Sequence, residues 1–249
     1  MPKLEAYHRD LPYSYALGIF PAMECLRAWP AACRRLLVEE QGSSGEGLAK
    51  LIVACEAQGV RVENAHRALA RIAHKENCYA AMVFGKQEGV LDEAQPHVVL
   101  HRPADAGNLG TILRTCLGFG VRHIAIVGQA ADVYDPHVVR ASMGALFYLQ
   151  VQRFVDIDAY LQAFPGHALY PFMLTASSPL AEAVTALRRP YALLFGNEAT
   201  GLPEEFSALG QSVRIPQTPW VDSLNLAAAV AVGVYTFREA EGMLDGQHP

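Results

Sequence analysis

The chain has 249 residues, of which 51% are apolar, and a formal net charge of −5 at pH 7. This length and apolar content suffice for one large core or two smaller ones, and we expect two domains. No apolar run is long enough to span a bilayer, and residues 1–10 are too polar for a signal peptide, so the sequence predicts a cytoplasmic protein.

The titratable residues give no sign of a metal or disulfide site. The five cysteines form no Cys-x-x-Cys pair and lie in apolar segments, and none of the nine histidines has the spacing of a ligand. We therefore expect no metal and no disulfide framework. The acidic net charge argues weakly against a nucleic-acid partner, although an acidic total can conceal a local basic patch.

Residues 12–84 alternate short helices with short strands. Apolar spacing predicts helices at residues 19–29, 48–59 and 65–73, and strands near residues 35–39, 60–62 and 78–84. Glycine and serine at residues 41–47 predict a loop, and the polar residues 86–96 are typical of a linker. The sequence thus predicts a small α/β domain at residues 1–88 and a second domain at residues 96–240.

From residue 97 onward, strands alternate with helices. Apolar runs predict six strands, at residues 98–101, 123–127, 146–151, 168–174, 191–195 and 213–215. This alternation is typical of an α/β fold whose mainly parallel sheet is covered on both faces. Ligands bind such sheets beyond the carboxyl ends of the strands, so we expect the chemistry in the glycine-rich turns after residues 101 and 195.

Residues 106–120 follow the first of these strands and predict a helix with one apolar face. Leu109 and Leu113 belong to its apolar stripe, whereas Arg114 lies off it. Asn108 lies at the helix start, where its side-chain oxygen could cap free backbone amides. Taken alone, the segment favours a simple cap at Asn108 and a solvated charge at Arg114.

The strand at residues 191–195 ends in a glycine-rich loop. Gly196 and Gly201 would let the backbone approach a ligand closely, and Glu198 lies at the carboxyl end of the strand. An ordinary turn with an exposed glutamate explains the same pattern equally well.

Residues 214–230 combine a proline-containing loop with an alanine-rich helix. Asp222 or Ser223 could cap the helix predicted at residues 224–237. That helix is apolar nearly all round, so we expect both of its faces to be buried, either in a central helix or in a subunit interface.

Together the three segments resemble the SpoU (TrmH-like) branch of the SPOUT RNA methyltransferases. The family pattern Asn-x-Gly-x-x-x-Arg is matched by Asn108, Gly110 and Arg114. The pattern Gly-x-Glu-x-x-Gly-Leu is matched by Gly196, Glu198, Gly201 and Leu202. The pattern Ile-Pro-Met-x-Gly followed by Ser-Leu-Asn is matched by Ile215, Pro216, Ser223, Leu224 and Asn225. The order and separation of these motifs agree with the family over residues 96–237.

The resemblance implies an enzyme that transfers a methyl group from S-adenosylmethionine to a ribose 2′-hydroxyl of RNA, with ribosomal RNA favoured and transfer RNA next. It also implies a trefoil knot in the C-terminal domain, a homodimer, and a ribosomal-protein-like RNA-binding domain at residues 1–88. The catalytic residues that it implies are Arg114, Asn108, Glu198, Ser223 and Asn225. The cofactor-binding residues that it implies are Thr175, Gly196, Asn197, Gly201, Ile215 and Leu224.

The resemblance places Arg114 at the reacting hydroxyl. Because an arginine with a pKa above about 12 is a poor base, we expect this side chain to stabilise the forming alkoxide and to bind a nearby phosphate. The other four catalytic residues would position Arg114 and the ribose.

The sequence departs from the family pattern at several positions. Gln217 and Pro219 replace the usual Met and Gly, Ala227 stands where serine is common, and residues 77–80 lack the glycine usual near the end of the N-terminal domain. These departures, with the acidic net charge, leave open a non-catalytic RNA-binding or ribosome-assembly protein that retains the fold. An ordinary nucleotide-binding α/β enzyme is disfavoured because phosphate-loop patterns are absent.

Overall fold

The computed structural model describes residues 4–39, 45–73 and 78–243. Part of the loop expected at residues 41–47 and Asn77 lie outside these ranges. The chain divides into two compact units, Met1–Gln87 with Asp132–Tyr148 and Glu88–Ala131 with Leu149–Pro249. The junction at Gln87 falls in the expected linker, whereas the segment Asp132–Tyr148, which we expected in the second domain, packs with the first unit.

The helices and strands alternate along most of the chain. The strands are β1 Tyr13–Leu17, β2 Cys33–Val38, β3 Arg61–Asn64, β4 Ala80–Gly85, β5 His97–His101, β6 His123–Val127, β7 Gln150–Phe154, β8 Ala168–Pro171, β9 Ser178–Pro179, β10 Tyr191–Phe195 and β11 Val213–Arg214. The α-helices are α1 Ile19–Ala28, α2 Glu46–Ala57, α3 His66–Ala73, α4 Ala106–Gly118, α5 Pro136–Ala141, α6 Ile157–Ala163, α7 Leu180–Ala183 and α8 Leu226–Ala240. Short 3-10 helices cover Pro30–Ala32, Ala145–Tyr148, Val184–Ala186 and Glu204–Ala208.

The first unit contains a four-stranded sheet in the order β1-β4-β2-β3. Strand β4 pairs antiparallel with both β1 and β2, and β2 pairs parallel with β3. One face of this sheet contributes Tyr15, Leu37 and Val83 to a core that also contains Leu69 and Ile72. Helix α3 is therefore held by the apolar side chains on its inner face.

The strand predicted at residues 146–151 is wrong in its first half. Residues Ala145–Tyr148 form a 3-10 helix, and β7 begins only at Gln150. The ring of Phe147 packs edge-on against the rings of Trp29 and Phe84 in the first unit, at centroid distances of 5.2 and 5.0 Å. An apolar run predicts burial but does not tell a strand from a turn whose side chains fill another core.

The second unit is built on a five-stranded sheet in the order β7-β6-β5-β10-β8, in which every neighbouring pair is parallel. Strands β6 and β10 have the bounds predicted from their apolar runs. Val99 and Leu194 face a core that also holds Tyr160 and Phe206. The prediction of an α/β fold with a mainly parallel sheet is confirmed.

Helix α8 crosses the second unit and is buried along one face only. Val230, Val234 and Phe237 are buried, whereas Val232 and Tyr235 are 39% and 43% exposed. The expectation that both faces are buried is therefore not met within a single chain. Among the described residues, no helix combines the length and apolar character needed to cross a bilayer.

Candidate active site

The first two motifs leave the sheet side by side. Strands β5 and β10 are parallel hydrogen-bonded neighbours, with Leu100 opposite Phe195 at their carboxyl ends. The turn at residues 102–105 follows β5, and the loop at residues 196–202 follows β10. Two parallel neighbours end at the same edge of a sheet, so this topology alone brings the turn before α4 next to Glu198.

Glu198 holds these two loops together through its carboxylate. Its Oε2 accepts the backbone N–H of Ala104 at 3.0 Å, and its Oε1 accepts that of Asp105 at 3.1 Å. The side-chain amides of Asn108 and Asn197 each add a contact of 3.4 Å to the same carboxylate. An acceptor-only carboxylate suits this position because every one of these partners donates a hydrogen.

The N-terminus of α4 is capped by Asp105, so the alternative interpretation of Asn108 as a simple cap is wrong. The Asp105 carboxylate accepts the backbone N–H of Asn108 at 2.7 Å. The side chain of Asn108 is thereby free to reach Glu198 and Asn225. An aspartate just before the first helical turn is a recognisable sequence signal for a cap.

The third motif joins the same cluster through Asn225. Its Oδ1 accepts the N–H groups of Ala227 and Ala228 at 2.9 and 3.3 Å, so Asn225 caps α8, and not Asp222 or Ser223 as expected. Its Nδ2 donates to Oδ1 of Asn108 at 3.0 Å. Residues of all three motifs thus form one hydrogen-bonded chain, from Asn225 through Asn108 to Glu198.

A cavity of about 440 Å³ opens beside these hydrogen-bonded residues, beyond the carboxyl ends of β8 and β10. It is lined by all six residues expected to bind the cofactor, Thr175, Gly196, Asn197, Gly201, Ile215 and Leu224, and by Glu198 and Ser223. This volume lies in the range of sites for small organic ligands. Asn108, Asn225 and Arg114, which the family resemblance implies as catalytic residues, do not line it.

The loop over this cavity is compact enough to require glycine at position 196. A Cβ atom on Gly196 would lie 2.0 Å from the carbonyl carbon of Gly201 and 2.2 Å from the nitrogen of Leu202. Asn197 and Gly201 exchange two backbone hydrogen bonds of 3.1 and 2.9 Å, which close the loop. Gly201 has a φ of 67°, a conformation that glycine adopts at little cost.

Helix α8 is held against the cavity by close packing. The rings of Phe172 and Phe195, both of which line the cavity, stack at 4.4 Å. A Cβ atom on Gly233 would lie 2.7 Å from the Phe172 ring, so the helix backbone rests directly on these rings. This packing places the capped end of α8, with Asn225, at the cavity rim.

Among the described residues, those that line the cavity include acidic but no basic side chains. Glu198 and Asp222 are its charged members, and the lining contains no lysine, arginine or histidine. A negative lining favours a ligand that carries positive charge.

Arg114 lies apart from this cluster. It is exposed on α4, and within the described part of the chain no hydrogen bond or ion pair involves it. The structure therefore brings together four of the five expected catalytic residues and leaves the arginine outside.

Two residues contribute to this site without having been predicted. Asp105 caps α4, and the carbonyl of Arg102 accepts a hydrogen bond of 2.8 Å from Nδ2 of Asn197. Gln217, which the sequence marked as a departure from the third motif, lines the cavity. Arg102 has a φ of 57°, which is uncommon for a residue with a side chain. Only the cap at Asp105 had a signal in the sequence.

Over its C-terminal part the chain is similar to known RNA methyltransferases. The model of the SpoU rRNA Methylase family matches residues 95–235. An uncharacterized tRNA/rRNA methyltransferase of Synechocystis is 36% identical over 58% of this chain and 53% of its own length. A tRNA (cytidine(34)-2'-O)-methyltransferase of Aeromonas hydrophila is 34% identical over 55% of this chain and 89% of its own. The chain thus spans about half the length of the Synechocystis relative.

A solved structure resembles nearly the whole chain. The AdoMet-bound rRNA methyltransferase from Sinorhizobium meliloti superimposes with a TM-score of 0.76 at 26% identity, over 92% of this chain and 87% of its own. The knot of the C-terminal part stays a prediction from the family resemblance. The matched residues 95–235 contain all three motifs, and the chain belongs to the SpoU rRNA methylase family.

Proposed function

We propose that this chain transfers the methyl group of S-adenosylmethionine to a ribose 2′-hydroxyl of RNA, with ribosomal RNA as the favoured substrate and transfer RNA next. The observation that carries this proposal is the convergence of the three motifs. Asn225, Asn108 and Glu198 form one hydrogen-bonded chain beside a cavity lined by the six residues assigned to the cofactor.

The cavity suits S-adenosylmethionine in size and charge. A volume of about 440 Å³ accommodates a small organic molecule, and the carboxylates of Glu198 and Asp222 complement a ligand with a sulfonium and an ammonium group. Gly196 and Gly201 line the cavity and have no side chains, so the adenosine part can approach the backbone closely there. When bound, this cofactor supplies a methyl group activated by a positively charged sulfur.

The remaining chemistry falls to the residues of this chain. The 2′-hydroxyl must be aligned with the methyl group and must lose its proton as the new bond forms. The guanidinium of Arg114 stays charged at neutral pH, so its role is to stabilise the developing alkoxide and to bind a neighbouring phosphate. The Asn108, Glu198, Ser223 and Asn225 side chains hold the loops and the ribose in place.

The proposed enzyme acts as a homodimer. Arg114 does not line the cavity of its own chain. In addition, the large apolar side chains of Val232 and Tyr235 on α8 are exposed. A second copy packed on this face would bury these side chains and bring one chain's arginine toward the other chain's cavity. Mixing equal amounts of the variants Arg114→Ala and Gly196→Ala tests this arrangement. Half of the dimers are then mixed, and each mixed dimer has one of its two sites intact, so the mixture should regain about a quarter of wild-type activity. Two inactive variants that stay inactive after exchange of subunits would exclude it.

Residues 1–88 form the RNA substrate-binding domain in this proposal. Residues 1–88 contain 11 Lys and Arg against 10 Asp and Glu, a net charge of +1, although the whole chain carries −5. This domain is therefore less acidic than the rest of the chain, which favours it as the part that binds an RNA backbone. A cytoplasmic location is part of the same proposal.

The substrate can be identified by mass spectrometry of 2′-O-methylated nucleosides in RNA from a strain that lacks the gene. We expect one such nucleoside to disappear from ribosomal RNA and to return with the wild-type gene, but not with Arg114→Ala. Calorimetry with Arg114→Ala should still detect S-adenosylmethionine binding. A wild-type protein that binds no S-adenosylmethionine at millimolar concentration would favour the non-catalytic RNA-binding alternative.

A further inference from the structure

The loop between β11 and α8, several residues of which line the cavity, presents a tryptophan to solvent. Trp220 is 89% exposed, and no hydrogen bond or ring contact of the described residues involves it. A ring of this size forfeits a large free energy of burial when it stays in water. Such exposure points to a partner that covers the ring.

Gln217 and Pro219, two of the departures from the family pattern, belong to the turn that carries this ring. Nε2 of Gln217 donates a hydrogen bond of 3.2 Å to the carbonyl of Asp222 and closes the base of the turn. Pro219 fixes its own φ and restricts the residue before it. The backbone on the N-terminal side of Trp220 therefore has little freedom to fold the ring back onto the protein.

The position of the turn indicates what approaches the ring. Gln217, Asp222 and Ser223, on either side of Trp220 in the chain, all line the cavity. Asn225 lies five residues beyond Trp220 and contacts Asn108. An RNA whose ribose lies at this cavity would therefore come close to the loop that carries the indole.

We propose that Trp220 is a positioning residue that stacks on an unpaired base of the RNA substrate, close to the nucleotide whose ribose is methylated. This inference rests on the proposed function. Bases of single-stranded RNA stack on exposed aromatic side chains, whereas bases within an RNA helix are already stacked on each other. The substrate is thus an unpaired segment of RNA, such as a loop or a bulge.

Tryptophan fluorescence tests the contact directly, because the chain has only two tryptophans. The variant Trp29→Phe leaves Trp220 as the sole indole and keeps an aromatic ring beside Phe84 and Phe147. We expect the emission of a solvated indole from the protein alone, and quenching on addition of single-stranded oligoribonucleotides of about ten nucleotides. Polyphosphate, which has charge but no bases, should not quench.

Two outcomes of this titration overturn the inference. One is unchanged emission at RNA concentrations that saturate binding, as followed by the anisotropy of labelled RNA. The other is the emission of a buried indole from the protein alone that shifts to that of a solvated indole on dilution, which would mean that a second copy covers the ring.

Steady-state kinetics separate positioning from chemistry. Trp220→Ala should raise the KM for RNA by roughly fivefold to a hundredfold, with little change in kcat or in the affinity for S-adenosylmethionine, and Trp220→Phe should restore most of the loss. An unchanged KM for RNA in Trp220→Ala removes the residue from substrate binding. A wild-type protein that methylates no RNA would instead defeat the proposed function, whatever the result for Trp220.

Discussion

Nδ2 of Asn225 lies 3.0 Å from Oδ1 of Asn108, although 117 residues separate the two asparagines in the chain. Each of them serves a second partner, since Asn225 caps α8 and Asn108 donates to Glu198. The donor and acceptor ends of both amides are thereby fixed. This pair connects the third motif to the other two.

Replacement of Asn225 separates its two roles. Asn225→Ala removes the cap of α8 and should lower the free energy of unfolding by about 1 kcal/mol. Asn225→Asp keeps an acceptor for the two helix N–H groups but cannot donate to Asn108, so it should retain more stability than Asn225→Ala and still lose methyltransferase activity. Urea denaturation and methylation assays measure the two effects. Equal stability of the two variants would contradict the capping role.

Glu198→Gln tests the need for a carboxylate that only accepts hydrogen bonds. A glutamine directs one NH₂ group toward partners that all donate, so at least one donor loses its acceptor. We expect a loss of roughly 1–3 kcal/mol in the free energy of unfolding. The exposed Glu204→Gln is the matched control. Equal stability of the two variants would show that the carboxylate does not hold the loops.

The sequence predicted those parts of the fold that depend on a continuous local pattern. The apolar runs of β6 and β10 are bounded by polar or turn residues, and their observed limits agree with the prediction. Leu146 and Phe147 have the same apolar character, yet they do not form a strand. They lie in a 3-10 helix and are buried in the first unit. Which core an apolar residue joins depends on tertiary packing, which a local pattern does not specify.

The sequence predicted the motif residues of the site, but not the hydrogen bonds that connect them. The identities of Asn108, Glu198 and Asn225 were available from the sequence, whereas the bond between Asn225 and Asn108 depends on how α4 and α8 meet. The cap of α8 was assigned to Asp222 or Ser223 instead of Asn225, because all three have capping side chains and only geometry selects among them. The exposed position of Arg114 on α4 likewise had no signal beyond its place off the apolar stripe.

Gly196→Ala should disrupt the cofactor loop. The new Cβ atom would overlap the backbone of Gly201 and Leu202, so the loop must move and stability should fall by roughly 1–3 kcal/mol. Calorimetry should show S-adenosylmethionine binding at least about tenfold weaker than in the wild type. Gly166→Ala is the control, because no atom lies within 4 Å of its added Cβ. Normal cofactor binding by Gly196→Ala would show that the loop at residues 196–202 does not bind the cofactor.

The stability of the second unit should depend on pH through a buried histidine. His97 contacts the hydroxyl of Tyr160 and the carbonyl of Asp92, each at 2.9 Å, and its ring stacks on that of His167. Burial lowers the pKa of His97 from its ordinary value of 6.5 to about 4, and the nearby His167 and His123 act in the same direction. The folded state therefore resists protonation of this ring.

The sign of the pH effect follows from this lowered pKa. Between pH 6.5 and 4 the unfolded chain binds a proton at His97 that the folded chain does not, so stability is fully present above pH 6.5 and decreases as the pH falls, by roughly 3 kcal/mol in total. Urea denaturation at pH 7 and pH 5 measures this slope. His97→Asn should reduce it, since burial also lowers the pKa of His101, His123 and His167, whereas the exposed His137→Asn should keep it. An unaltered slope in His97→Asn would assign the effect to other groups.

The most direct test of the account is the chemical position of a labelled methyl group transferred from S-adenosylmethionine to RNA from a strain that lacks the gene. Alkali cleaves RNA only where the 2′-hydroxyl is free, so a methyl group on the ribose leaves its label in an alkali-resistant dinucleotide. We expect the label in dinucleotides with the wild-type protein and no label with Arg114→Ala. Label in mononucleotides, or no transfer by the wild-type protein, would contradict the account.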